Sequence, residues 1–156
     1  MKIFCKSALV TAILVVGSAV PVLAQIDYGM DFTTAFPFYA QNTKLPAGSY
    51  KVTQTDFDNN ELLIQSTDGK YSLFVDFIPT HAEQPHKISD VTFHKYGTVE
   101  YLNRIWVEGQ HYGMKVEPTK AEQKAANAAS PTEHSITGKK LNKDVARSAT
   151  STNGNF

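Results

Sequence analysis

The chain has 156 residues, 15 basic against 15 acidic, and a single cysteine. This balance lacks the basic excess that a nucleic-acid binder carries, so no nucleic-acid partner is expected. Because Cys5 lies in the first two dozen residues, the chain beyond them has no thiol for a disulfide, a nucleophile or a metal ligand.

The N-terminus comes first. Lys2 and Lys6 give a positive start, Ala8 to Val16 is apolar except for Thr11, and Val22-Leu23-Ala24 places small residues where a signal peptidase reads them. Residues 1–24 are therefore expected to be a cleaved signal peptide, with Gln25 as the new N-terminus. The apolar run is shorter than the roughly 20 residues of a spanning helix, so no membrane span is expected after cleavage. Gln25 stands where a lipoprotein needs cysteine. Loss of Lys2 and Lys6 leaves 13 basic and 15 acidic residues. The predicted location is the periplasm or the exterior.

Residues 25–118 read as one β domain. Tyr50 and Val52 share a face, as do Leu62 and Ile64. Tyr71, Leu73, Val75 and Phe77 form an inward row opposed by Ser72 and Asp76, and Val91 with Phe93 continues the scheme, as does Val99 with Tyr101. Leu45-Pro46-Ala47-Gly48 has the proline and glycine of a type I turn. Asp68-Gly69 is a hairpin signal, and Asn59-Asn60 and Tyr96-Gly97 offer further reversals. Short connections of this kind join antiparallel strands. In Val99 to Glu108 the parity conflicts: Tyr101 matches Ile105, but Leu102 matches Trp106. Either both faces are covered there or a bulge shifts the register. The expectation is an all-β antiparallel barrel or sandwich of about seven strands.

Thr119-x-x-Glu122 is a capping box, so residues 119–129 should form a short helix with only alanines to bury. Residues 130–156 are polar, with Ile136, Leu141, Val145 and Phe156 as their large apolar side chains. They are expected to be a flexible tail. Phe156 does not close an outer-membrane strand, because Ser148 to Asn155 does not alternate.

Chemistry is sparse. His81, His86, His94, His111 and His134 match no zinc-ligand spacing, and His81, Glu83 and His86 lie in a loop bounded by Pro79 and Pro85. Parity places Asp76 and Glu100 opposite the apolar rows, where solvent exposure is expected. There is no G-x-S-x-G elbow, P-loop or dinucleotide fingerprint. No catalytic residue, metal or cofactor is assigned. Tyr96, Tyr101, Trp106 and Tyr112 form an aromatic stretch with His94, Arg104 and His111 interleaved that could contact a sugar or a partner, and His94, Tyr96, Arg104, Trp106, His111 and Tyr112 are its candidate binding residues. The simpler account is that such aromatics fill a small β core.

Phe36-Pro37-Phe38-Tyr39, Leu45-Pro46-Ala47-Gly48-Ser49-Tyr50, Thr92-Phe93-His94-Lys95-Tyr96-Gly97 and Tyr101-Leu102-x-x-Ile105-Trp106 together resemble a group of small secreted proteins of acidobacterial type. The likeness covers most of residues 30–126, and Gly113 and Glu122 fit its glycine and its short glutamate-bearing helix. Lys95 departs from it, standing where the pattern has arginine. The resemblance implies a secreted β-rich domain and carries no activity. The working expectation is a non-enzymatic exported protein that binds an envelope protein, a glycan or a small ligand. The alternatives are a small hydrolase or metal-dependent enzyme on the same scaffold, and a structural assembly subunit.

Overall fold

The computed structural model describes residues 29–56 and 60–141. The expected signal segment and its cleavage site lie outside these residues. Nine strands come first: β1 (Gly29–Thr34), β2 (Phe38–Ala40), β3 (Thr43–Leu45), β4 (Gly48–Asp56), β5 (Glu61–Ser66), β6 (Ser72–His81), β7 (Asp90–Tyr96), β8 (Val99–Trp106) and β9 (Tyr112–Val116). Helix α1 (Lys120–Ala128) follows, then β10 (Thr132–Thr137) and β11 (Lys139–Lys140). The all-β class agrees with the sequence. Among the described residues the strand count is 11 rather than about seven, because β2, β3 and β11 are too short to show alternation and β10 lies in the expected tail.

The strands join in the order β10-β7-β8-β9-β6-β5-β4-β1-β11, with β2 attached to β8 and β3 to β2; this pairing does not close them into a barrel. The hairpins are antiparallel as expected. Gly69 and Gly97 adopt positive φ in two of the predicted turns, and Asn60 does so in a third. One pairing is parallel, β2 against β8, where Phe38 faces Glu100 and Tyr39 faces Tyr101. The long excursion from Ala40 to Val99 permits it. Strand β6 changes partners midway: Ser72–Asp76 pair with β5, and Phe77–His81 pair with β9. This is how the chain passes from one set of ladders to the other.

The core gathers the predicted inward residues. Tyr50, Val52, Leu62, Ile64, Val75, Phe77, Val91 and Phe93 are all buried. Phe93 touches three other rings, with centroids 5.2 Å from Phe38, 5.4 Å from Phe36 and 6.4 Å from Phe32. The Pro46 turn has a specific anchor: the Tyr50 hydroxyl donates to the Pro46 carbonyl at 2.6 Å. Burial of that phenol pushes its pKa up. Tyr71 departs from the predicted row. It precedes β6 and is 40% exposed.

Both accounts of the irregular strand apply. The β7–β8 register shifts so that Thr92 faces Arg104 while Phe93 faces Leu102, which leaves Asn103 as the extra residue. The bulge lets Leu102 and Ile105 both enter the core despite opposite parity, while Tyr101, Arg104 and Trp106 take the other face. It also overturns the expected exposure of Glu100, which shares its face with Leu102 and is 3% exposed. Asp76 is exposed as parity implied.

The expected flexible tail needs correction over residues 132–140. β10 pairs with β7 along six residues, Thr132 through Thr137, and β11 pairs with Met30 and Asp31 of β1. Gly138 joins them, so the two ends of the strand order are consecutive pieces of chain. Composition missed this because two sheet edges supply the hydrogen-bonding partners, and a single apolar side chain, Ile136, packs against the core. Residues 142–156 lie outside the described residues.

Candidate functional site on the outer face of β7 and β8

The face of β7 and β8 that points away from the core is lined in an order set by strand pairing. His94 faces Tyr101, and Thr92 faces Arg104, which in turn faces Lys115 of β9. Farther along, Trp106 lies between Asp90 and Gly113. β2 brings Tyr39 against Tyr101, with the rings stacked at 5.4 Å and 25°. Tyr96 meets Tyr101 edge-on at 5.9 Å, and His94 meets Tyr96 edge-on at 6.3 Å. The Lys44 ammonium lies 5.9 Å from the Tyr39 ring centroid, within cation–π range.

Helix α1 covers one end of this face. Thr119 caps it, its Oγ1 accepting from the Glu122 amide at 3.2 Å. The Glu122 carboxylate does not complete the box. Its Oε1 lies 3.1 Å from His94 Nδ1, and Glu122 is the one buried residue of the helix. The helix was expected to bury only alanines; it is fixed by an acid instead. Burial raises the Glu122 pKa, opposed by the His94 hydrogen bond and charge and by the charge of Lys115. Burial also raises the pKa of Tyr96 and Tyr101, and the Glu122 charge adds to both shifts.

A second acid–histidine contact lies at the rim of the core face. Glu100 Oε1 is 3.3 Å from His134 Nδ1 and 3.7 Å from Lys95 Nζ, while its buried Oε2 has no hydrogen-bond partner. The His134 ring packs 4.7 Å from Phe36.

The six residues singled out from the sequence divide by position. His94 and Tyr96 belong to the tyrosine cluster, and Arg104 and Trp106 lie farther along the same face. His86 stacks on Trp106 at 4.7 Å and 7°, with its Nδ1 2.8 Å from the Ile88 carbonyl and 3.6 Å from Asp90 Oδ1. Tyr112 belongs elsewhere; it packs against the core and donates to Gln54 Oε1 at 3.0 Å. His111 is an exposed turn residue whose carbonyl accepts the Ala82 amide. Sequence reasoning placed Tyr101 in the aromatic stretch and missed Tyr39, Lys115 and Glu122. The Thr119-x-x-Glu122 spacing marked Glu122, but for the backbone rather than for His94.

His81 and Glu83 are exposed, and His86 turns away onto Trp106. Among the described residues, no group of three His, Cys, Asp or Glu side chains could hold a metal. Among them also, no helix is long and apolar enough to cross a membrane. A shallow depression of about 460 Å³ lies apart from the tyrosine face, lined by residues that include Asp31, Thr33, Ser49, Thr137 and Lys139. No known family, curated protein or solved structure matches this chain.

Proposed function

We propose that this chain is an exported, non-enzymatic envelope protein that uses the outer face of β7 and β8 to bind a glycan or protein partner. The supporting observation is the Tyr39–Tyr101–Tyr96 cluster beside His94. Tyr101 is 9% exposed beneath the half-buried Tyr39 and Tyr96, whose partly accessible rings and hydroxyls combine apolar surface with polar tips, a combination that suits sugar stacking and partner contacts. The segment ending at Ala24 supports export, and the likeness to small secreted acidobacterial-type proteins agrees with it. A two-layered, sandwich-like wrap is part of this reading. It is supported by the partner change within β6 and by a core drawing on both β1–β4–β5 and β7–β8–β9.

The test uses isotope-labelled mature protein titrated with soluble envelope glycan fragments and envelope extract. Amide shifts confined to Tyr39, His94, Tyr96, Tyr101 and their neighbours are expected. Shifts that avoid this face, or none at saturating ligand, would overturn the assignment. Mass spectrometry of exported material should begin at Gln25; a retained Met1 would sink the export reading.

A second reading, an assembly subunit, has its own observation. Phe74 and Ile78 on β6 are 56% and 47% exposed, and Phe74 faces the half-buried Leu63. A concentration-dependent dimer that F74K abolishes, measured by analytical ultracentrifugation, would favour it.

A further inference from the structure

We infer that Arg104 and Lys115 form a binding site for an oxyanion, a carboxylate or phosphate group carried by the ligand of this face. This deepens the binding reading above and rests on it. Arg104 and Lys115 are direct partners across antiparallel strands, so their side chains leave the same face about 5 Å apart. Two like charges in that position repel each other. Both residues are half-buried, which limits the water available to screen the repulsion.

No carboxylate among the described residues comes within ion-pair distance of either cation. Glu122 is held by His94, and Asp90 accepts from the Ser135 hydroxyl through Oδ2 at 3.2 Å. The buried Oδ1 of Asp90, 3.6 Å from His86 Nδ1, has no hydrogen-bond partner among the described residues and lies beyond ion-pair distance of Arg104. Glu122 is close enough for its charge to feel Lys115, but its Oε1 is directed to His94. The Arg104 Nε is sealed from solvent and has no acceptor. The sealed Nε fixes the guanidinium in place, and an oxyanion docked on its solvent-facing nitrogens would offset the repulsion between the two cations. A guanidinium can take an oxyanion through two parallel hydrogen bonds, and an ammonium alongside adds a point charge. The hydroxyl residue Thr92 lies next in the same cross-strand row.

Trp106 is the single tryptophan and lies two residues along β8 on the same face, so its fluorescence reports on the site. Mature protein would be titrated with inorganic phosphate in one arm and with glucuronate in another, at low ionic strength. A saturable Trp106 response in either arm is expected, weakened at least tenfold by R104M and by K115M and retained in K70M, a change at an exposed lysine of the Asp68 turn. A response to phosphate alone identifies a phosphoryl ligand, and one to glucuronate alone identifies an acidic sugar; both outcomes support the site. A response unchanged in R104M, or no response from folded wild-type protein in either arm, overturns it. Circular dichroism confirms that each variant folds, and R104K serves as a second variant that keeps the charge but loses the paired donors. If the oxyanion site fails while glycan-induced shifts persist at Tyr39 and Tyr101, the broader binding reading survives without it.

Discussion

Trp106 lies over Gly113, its cross-strand partner on β9, so closely that a Cβ built on Gly113 would come within 2.7 Å of the indole ring. Only glycine leaves room for the ring to lie flat there and to carry His86 on its other side. G113A should lift the indole and cost about 1–3 kcal/mol, the usual penalty of overpacking. Chemical denaturation would read the loss, and a red-shifted Trp106 emission would place it. An unchanged emission would show that the ring does not depend on this glycine.

Phe93 joins the two sets of ladders through its contacts with Phe32, Phe36 and Phe38. Its truncation leaves a cavity in the middle of the core. F93A should destabilise by about 3–5 kcal/mol, against less than about 1 kcal/mol for exposed Lys70 in K70A. Equal losses in the two variants would mean that the aromatic cluster does not hold the fold together.

Glu122 gives stability a pH dependence whose sign can be worked out. Its folded pKa is raised, chiefly by burial, so the folded state holds the proton more tightly than the unfolded state does. Its contribution to stability is therefore greatest below the unfolded pKa, and it declines as pH rises through the folded one. E122Q keeps a hydrogen-bonding side chain for His94 and removes the buried charge. It should be more stable than the parent at neutral pH and should flatten the stability profile above the ordinary carboxylate range. Urea titrations from that range to neutral pH check it; a variant as pH-dependent as the parent would refute the assignment.

The C-terminal strap supports two edges at once. Deleting everything after Ala129 would strip β7 of its partner along Thr132–Thr137 and β1 of its partners Lys139 and Lys140. The truncated protein should melt at a lower temperature and associate through the bared edges. G138V tests the junction by itself, because a side chain there would meet the Asp31 carbonyl at 2.9 Å. Light scattering and thermal melts read both effects. A truncated chain that stays monomeric and equally stable would show that the strap is dispensable.

Much of the fold was legible because a half-buried strand writes its inner face at every second residue. Tyr50, Val52, Leu62, Ile64, Val75 and Phe77 followed that rule and are buried. Tyr71 failed it because it precedes β6, and Glu100 failed it because the bulge at Asn103 changes the parity of β8. The strap escaped notice because its main partners are backbone groups of other strands, which composition does not register. The site was only half visible for a similar reason. His94 and Tyr96 stood out locally, whereas Tyr39, Lys115 and Glu122 reach the same face from three other elements.

Met30 finds its partner Lys140 only after nearly all of the described chain has been made. Contacts so distant along a polypeptide are slow to form, because the loop between them must first be closed. A nascent chain ending before Lys140 therefore lacks the pairing that completes β1 and keeps that margin open. The β1 margin is thus the last of the described ladders to be sealed as the polypeptide is made.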